Sequence, residues 1–428
     1  MRRQYAAVLL CTPVLALSTA ACGTDGDDGT VASPTTGGTV ASATPHGYVE
    51  GAEEAKEPQL RLAVSGDDTL TLVDLLTGDT VTRMDAPSLT GADNRYLFTS
   101  DDAGTTAIDS GVWTVDHGDH FHYYRSDPAV VGTATGEKPG HVVSAGSRVS
   151  MFSDGNGEVE TYDRSALEDA AKSGEGTMPD PATEFEVGAH HGVAVPFDDH
   201  VVSTLAPGDA DELPDTLGAF DESGKKTGLA GETSCPDIHG AVGTDDAAMF
   251  ACADGVLVIT DGRDGGDGAL TGRLIAYPGG AQGRAWSLTS GRSLVAAAFE
   301  DGGLGLLDPE EGSWTTAATA APVTSVAVSP DNKVVFALDE DGTGYAVDPA
   351  TGDVTAQKKL VAPAAATGDG DTGDGDAAPA LALSSERGYV SDPEAGKVTE
   401  FDVRDGLRET RSFGLGGHPS AIAVVGGR

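Results

Sequence analysis

Short β-rich runs separated by Gly and Asp turns recur along nearly the whole chain. They constrain the fold more than any other feature. Residues 60–84, "LRLAVSGDDTLTLVDLLTGDTVTRM", alternate apolar and polar positions, turn at "SGDD" and "TGD", and resume. Residues 323–354, "VTSVAVSPDNKVVFALDEDGTGYAVDPATGDV", follow the same plan of strand, turn, strand, turn, strand, turn. "RAWSLTSGRSLVAAAFEDGGLGLLDPEEGSW" does so again. Strands of about four to seven residues at regular spacing predict an all-β repeat. No long segment has a 3.6-residue period; "SALEDAAKS", Ser165 to Ser173, is the best short-helix candidate.

The repeats have a phase. Comparable first strands start near Ser88, His141, His191, His239, Ala285, Val323 and Ala380. Their spacing suits four-stranded propeller blades, which repeat every ~40–50 residues. An eighth start, "GHPSAIAVV" from Gly417, lies too near the C-terminus for a whole blade. Pairing it with "LRLAVSG" and "TLTLVDL" would close the ring. The expected fold is therefore an all-β propeller of eight blades, with seven as the alternative. Closure leaves such a chain only short, protected edges.

The first residues read differently. Arg2-Arg3, an apolar run from Tyr5 to Leu17, and Ser18-Thr19-Ala20-Ala21-Cys22 have the layout of a secretory signal, 1–21. A cysteine after Thr-Ala-Ala resembles a bacterial lipobox, so Cys22 is the expected lipidation site. Each buried methylene of such an anchor contributes ~0.8 kcal/mol. Residues 22–58 hold Gly, Thr, Ser, Asp and Glu with little to bury, and read as a disordered acidic tether. Residues 59–428 are then one propeller domain. The expected location is outside the cytoplasm, as a lipoprotein of a bacterial cell membrane. Of four cysteines, Cys11 and Cys22 belong to the signal region. Cys235 and Cys252 remain to pair in an oxidising compartment.

Lys and Arg number 26 against 68 acidic residues, a net charge of -42. Such a surface repels nucleic acid and anionic membrane and attracts cations without selecting one. Solubility or salt tolerance explains it without further function. The acidic stretch Ala365 to Ala378 carries Asp369, Asp371, Asp374 and Asp376. Gly373 breaks the calcium-loop spacing, so a flexible loop is expected.

Ten histidines are placed unevenly. "TVDHGDHFHYYR", Thr114 to Arg125, holds three of them. On a strand, His120 and His122 share a face, and His-x-His suits zinc, copper, nickel or iron. Asp116, His117 and Asp119 could add ligands or orient the rings. A solvated strand end over Phe121, Tyr123 and Tyr124 accounts for the segment equally well. His141, His190 with His191, His239 and His418 open four of the predicted first strands. Those of the blades at 141, 191 and 239 would be neighbours around a central channel. The 116–122 turn could fold across the channel mouth to meet them, so one compact site or two remain open. His46 and His200 read as incidental.

"DHGDHFHYYR", "GHVVSAGSRVSMFSDGNGEVE", "HHGVAVPF" and "CPDIHGAVGTDDAAMFACADGVLV" together resemble the AztD-type zinc metallochaperones. These are exported β-propeller proteins encoded with zinc ABC transporters. The resemblance runs from about residue 59 onward. It implies Zn2+ binding outside the membrane, no catalysis, and delivery of zinc to the solute-binding protein of the transporter. It gives zinc roles to His120 and His122, with His117, His141, His191 and His239 as further candidates. It also implies a Cys235–Cys252 disulfide. The chain departs from the family in its lipobox, its 365–378 insertion and its lack of a separate histidine-rich tail. Two other functions fit a histidine-lined propeller. A metalloenzyme could activate water on zinc, although no nucleophile–base motif is present and nothing singles out Glu158 as a base. A protein-binding scaffold needs no metal at all.

Overall fold

The computed structural model describes residues 48–49, 51–209, 212–262, 269–279, 283–363 and 378–427. The expected signal, Cys22, His46 and the acidic insertion lie outside the described residues, except for Ala378. Apart from one helix, the described elements are strands. They form eight antiparallel sheets of four strands, one of which gains a fifth, and one three-stranded sheet.

The first strands of seven of these sheets are Leu89–Ala92, Pro139–Ala145, Ala194–Phe197, Ala241–Gly243, Ala285–Ser290, Val323–Val328 and Leu381–Leu383. They follow the phase read from the sequence. The eighth sheet is composite. Its first strand is the C-terminal Ala421–Val425, which pairs antiparallel with Arg61–Gly66, matching Val424 to Leu62 and Ile422 to Val64. Thr69–Asp74 and Thr80–Asp85 complete it.

Packing between sheets explains the strand sequences. Both faces of a middle strand are covered, so Arg61–Gly66 and Val335–Asp339 are buried almost throughout. Outer strands are half solvated, and Thr183–Glu186 alternates buried and exposed. Apolar clusters join consecutive sheets: Leu72 with Leu97 and Ile108, Phe98 with Met151 and Tyr162, Val195 with Phe250. The last of the series joins Tyr389 and Val398, of the sheet that begins with Leu381–Leu383, to Leu62 and Val64 of the composite one.

The turns repeat as well. Asp74 and Asp308 end third strands and Asp348 directly follows one, and each carboxylate accepts a backbone N–H two residues on. Each carbonyl also accepts from the glycine four residues on, Gly78, Gly312 or Gly352. Those glycines have φ of 81°, 68° and 77°, where a side chain would be strained. The helix Arg164–Ser173 buries Leu167, carries a Glu168–Lys172 pair, and stops at Gly174 with φ of 67°.

Three strands depart from the eight-sheet pattern. The strand Glu53–Ala55, inside the stretch read as tether, pairs with Phe121–Arg125, which pairs in turn with Val112–Asp116. This small sheet is an excursion between the third and fourth strands of its parent sheet, Gly104–Asp109 and Ala129–Thr135. Buried Arg61 pins its base, donating to the carbonyls of Ser110 and Ser126.

Cys235 and Cys252 form a disulfide across 17 residues, and both are fully buried. His239 lies inside the loop it closes. In the chain-entropy model a loop of this length contributes about 3 kcal/mol. Replacing both cysteines with serine should lower unfolding free energy by about that amount, measured by denaturant titration. A change below about 0.5 kcal/mol would show that the bridge carries no such share.

Candidate metal centre

Three consecutive sheets deliver His141, His191 and His239 to one place. Ring centroids are 4.9 Å apart for His141 and His191, 5.3 Å for His191 and His239, and 5.7 Å for His141 and His239. One ring nitrogen of each lies within 4.8 Å of those of the other two. Imidazoles at ~2.0–2.1 Å from a shared zinc sit roughly 3.3 Å apart in tetrahedral geometry. Small ring rotations therefore suffice to turn this triad into a ligand set.

The outer nitrogens decide which nitrogen faces inward. His141 Nδ1 is 3.0 Å from the Gly192 carbonyl and His239 Nδ1 is 2.8 Å from the Trp286 carbonyl. A carbonyl can only accept, so both Nδ1 atoms carry the proton. His191 Nδ1 lies 2.7 Å from Asp154 Oδ2, an acceptor when ionised. All three rings are held as Nδ1–H tautomers, which leaves Nε2 lone pairs for an ion. This is the outer support that ligating histidines require.

Glycines make room for it. At Gly192 a Cβ would collide with the Phe152 ring and the His190 imidazole, and at Gly240 with the Trp286 carbonyl. The chain can thus pass close enough to present the Gly192 carbonyl to His141 and to bring His239 over Trp286. Burial, then the neighbouring His191, holds His141 below the ordinary histidine value. The hydrogen bond to Asp154 holds His191 above it. His141 is therefore ready as a neutral ligand, while His191 keeps a proton longer.

Asp154 is a positioning residue that composition and spacing did not single out. Asp154→Ala should reduce zinc affinity by about 10–100-fold, the range for losing such an outer partner. It should also lower the His191 pKa in the metal-free protein. Chelator competition and histidine NMR titration check the two effects. If neither moved, Asp154 would have no part in the site.

A second group sits on the excursion. The rings of His117, His120 and His122 are 5.0–5.1 Å apart. His120 Nδ1 faces Asp119 at 2.8 Å and His122 Nδ1 faces Glu54 at 2.6 Å. Their Nε2 atoms meet at 3.1 Å. With both outer nitrogens protonated, two lone pairs point at each other, and a proton or a cation between them relieves the repulsion. Asp116 turns to the Gly118 amide at 2.7 Å, capping the turn.

The two groups do not form one cage. The excursion precedes Ala129–Thr135, and the strand that bears His141 follows that strand after three residues. Seven residues at ~3.3 Å each put roughly 20 Å between the two ends. The turn at 116–122 therefore lies at the opposite edge from the triad, and of the one site or two left open by the sequence it keeps two separate groups.

His190 and His418 also lie apart from the triad's ligand set. His190 is 3% exposed. Its Nδ1 faces the Gly188 carbonyl at 2.7 Å and its Nε2 faces Thr204 Oγ1 at 2.8 Å. Both nitrogens are used inside the protein. His418 pairs with Asp67, at 3.1 Å, beside the composite sheet.

Packed four-stranded sheets, with one imidazole on a first strand and two in the loops that lead into the next two first strands, define an all-β protein with a histidine triad that could hold a metal ion. The chain is similar to the zinc chaperone AztD of Citrobacter koseri, at 28% identity over 330 residues, which cover 75% of this chain and 74% of that protein. The crystal structure of Citrobacter koseri AztD superposes with a TM-score of 0.75 at 25% identity, covering 86% of this chain and 98% of that one. Its apo structure gives 0.73 at 23% identity and the same coverage, a likeness of fold. No family model matches the chain. The resemblance seen in the histidine segments thus extends over most of the chain.

Proposed function

We propose that this protein is an extracytoplasmic zinc metallochaperone that carries zinc on His141, His191 and His239 and passes it to the solute-binding protein of a zinc ABC transporter. One observation carries the reading: three imidazoles converge with every outer nitrogen engaged, leaving three Nε2 atoms for one ion. Similarity to a protein described as a zinc chaperone supports the choice of ion and of task. Zinc is the cargo. Three protein ligands leave a fourth position open, and the exposed His191 puts that opening within reach of solvent and of another protein. Transfer then proceeds by ligand exchange, with the acceptor's ligands entering as these imidazoles leave.

The fold reading is an eight-bladed propeller closed by its terminal strands. It is supported by the pairing of Ala421–Val425 with Arg61–Gly66 and by the cyclic series of apolar clusters between sheets. The location outside the cytoplasm draws on the N-terminal sequence and on the Cys235–Cys252 disulfide. Lipid attachment at Cys22 draws on the sequence alone. His120, His122 and His117, with Glu54 and Asp119 behind them, are read as a second, more exposed zinc site.

Zinc-loaded protein mixed with the solute-binding protein tests the function, with zinc on each measured after separation. Zinc should reach that protein faster than it reaches a small chelator of equal affinity. Equal rates would leave no role for delivery.

A further inference from the structure

Arg284 is an anomaly in this chain. Acidic residues outnumber Lys and Arg by 68 to 26, yet among the described residues no carboxylate lies within ion-pair distance of its guanidinium. One amino group donates to the Asp237 carbonyl at 2.6 Å. Nε is buried with no hydrogen-bond partner. The guanidinium carbon stacks 4.1 Å from the centre of the Trp286 ring.

Trp286 is unusual too. It is 41% exposed, and the other large exposed apolar side chains described are Tyr48, Leu76, Val130 and Val354. Its ring meets His239 edge-on at 5.5 Å. A cation-bearing, solvent-facing aromatic platform therefore adjoins the metal triad.

Resting on the carrier reading above, we infer that Arg284 and Trp286 form the docking anchor for the zinc acceptor. The acceptor supplies a carboxylate to the guanidinium and an apolar side chain to the indole. Geometry requires contact here. Zinc binds its ligands at ~2.0–2.1 Å, so an acceptor's ligands can reach the ion only if its surface covers the triad's rim. Trp and Arg are the side chains most enriched where binding energy concentrates. Charge selects the occupant. A second copy of this chain would bring -42 against -42, and long-range repulsion opposes that pairing. A partner with a carboxylate beside its zinc ligands finds at this rim a guanidinium that, among the described residues, is in no ion pair.

The test uses the full chain loaded with zinc, the purified solute-binding protein as acceptor, and a small chelator as a second acceptor. Arg284→Glu should slow transfer to the protein by about tenfold or more, while leaving loss to the chelator unchanged. Trp286→Ala should lower the ratio of protein rate to chelator rate by a similar factor, since the main-chain carbonyl that holds His239 remains. Unchanged transfer to the protein in both variants would overturn the anchor. Equal slowing toward both acceptors would also overturn it, as it would make the pair a support of the metal site alone. If the wild-type protein gives no zinc to the acceptor, the carrier reading itself fails and the anchor fails with it.

Discussion

Replacing His141, His191 or His239 with alanine lowers zinc affinity by at least about a hundredfold in each case, measured by competition with a chromogenic chelator. Losing an outer partner of a ligand already costs 10–100-fold, and losing the ligand itself removes a direct bond. His190→Ala is the contrast. Its ring is buried on Gly188 and Thr204, so the loss should appear in stability with zinc affinity nearly unchanged. The adjacent residues His190 and His191 thus separate a structural histidine from a ligand. Equal loss of affinity in both would contradict the assignment.

Acid should release the metal steeply. An imidazole must be neutral to ligate, so protons compete with zinc at every ring. The Asp154 carboxylate holds His191 above the ordinary value, so this ring takes a proton first as pH falls. Burial holds His141 below it, so that ring protonates later. Affinity should begin to fall above ~6.5, the ordinary histidine value, by about tenfold per pH unit while one ring titrates. It should steepen toward about a thousandfold per unit once all three compete. The sign is fixed: affinity rises with pH through this window and levels off once the rings are neutral. Chelator competition from pH 5 to 8 measures it. Affinity independent of pH across that range would exclude imidazole ligation.

Much of this was legible in the sequence because strands and turns repeat with a phase. Histidines falling at or just before the start of successive first strands come together, as His141, His191 and His239 do. Cys235 and Cys252, the two cysteines outside the expected signal region, pair. Other parts were not legible because they depend on chain segments far apart in sequence or lacking a period. Asp154, the Gly192 and Trp286 carbonyls and Glu54 are acceptors whose roles arise from tertiary contact. His190 and His191 lie in a loop before Ala194–Phe197, where strand alternation cannot tell an inward ring from an outward one. The edge on which the 116–122 turn emerges follows from counting strand reversals within its sheet, and pattern alone had left it free to approach the triad.

Zinc-edge anomalous diffraction from crystals of the zinc-loaded protein tests the central claim most directly. A peak is expected about 2.0–2.1 Å from the Nε2 atoms of His141, His191 and His239, with each Nδ1 still on its carbonyl or carboxylate. A fully loaded crystal with no zinc among those three rings would contradict it.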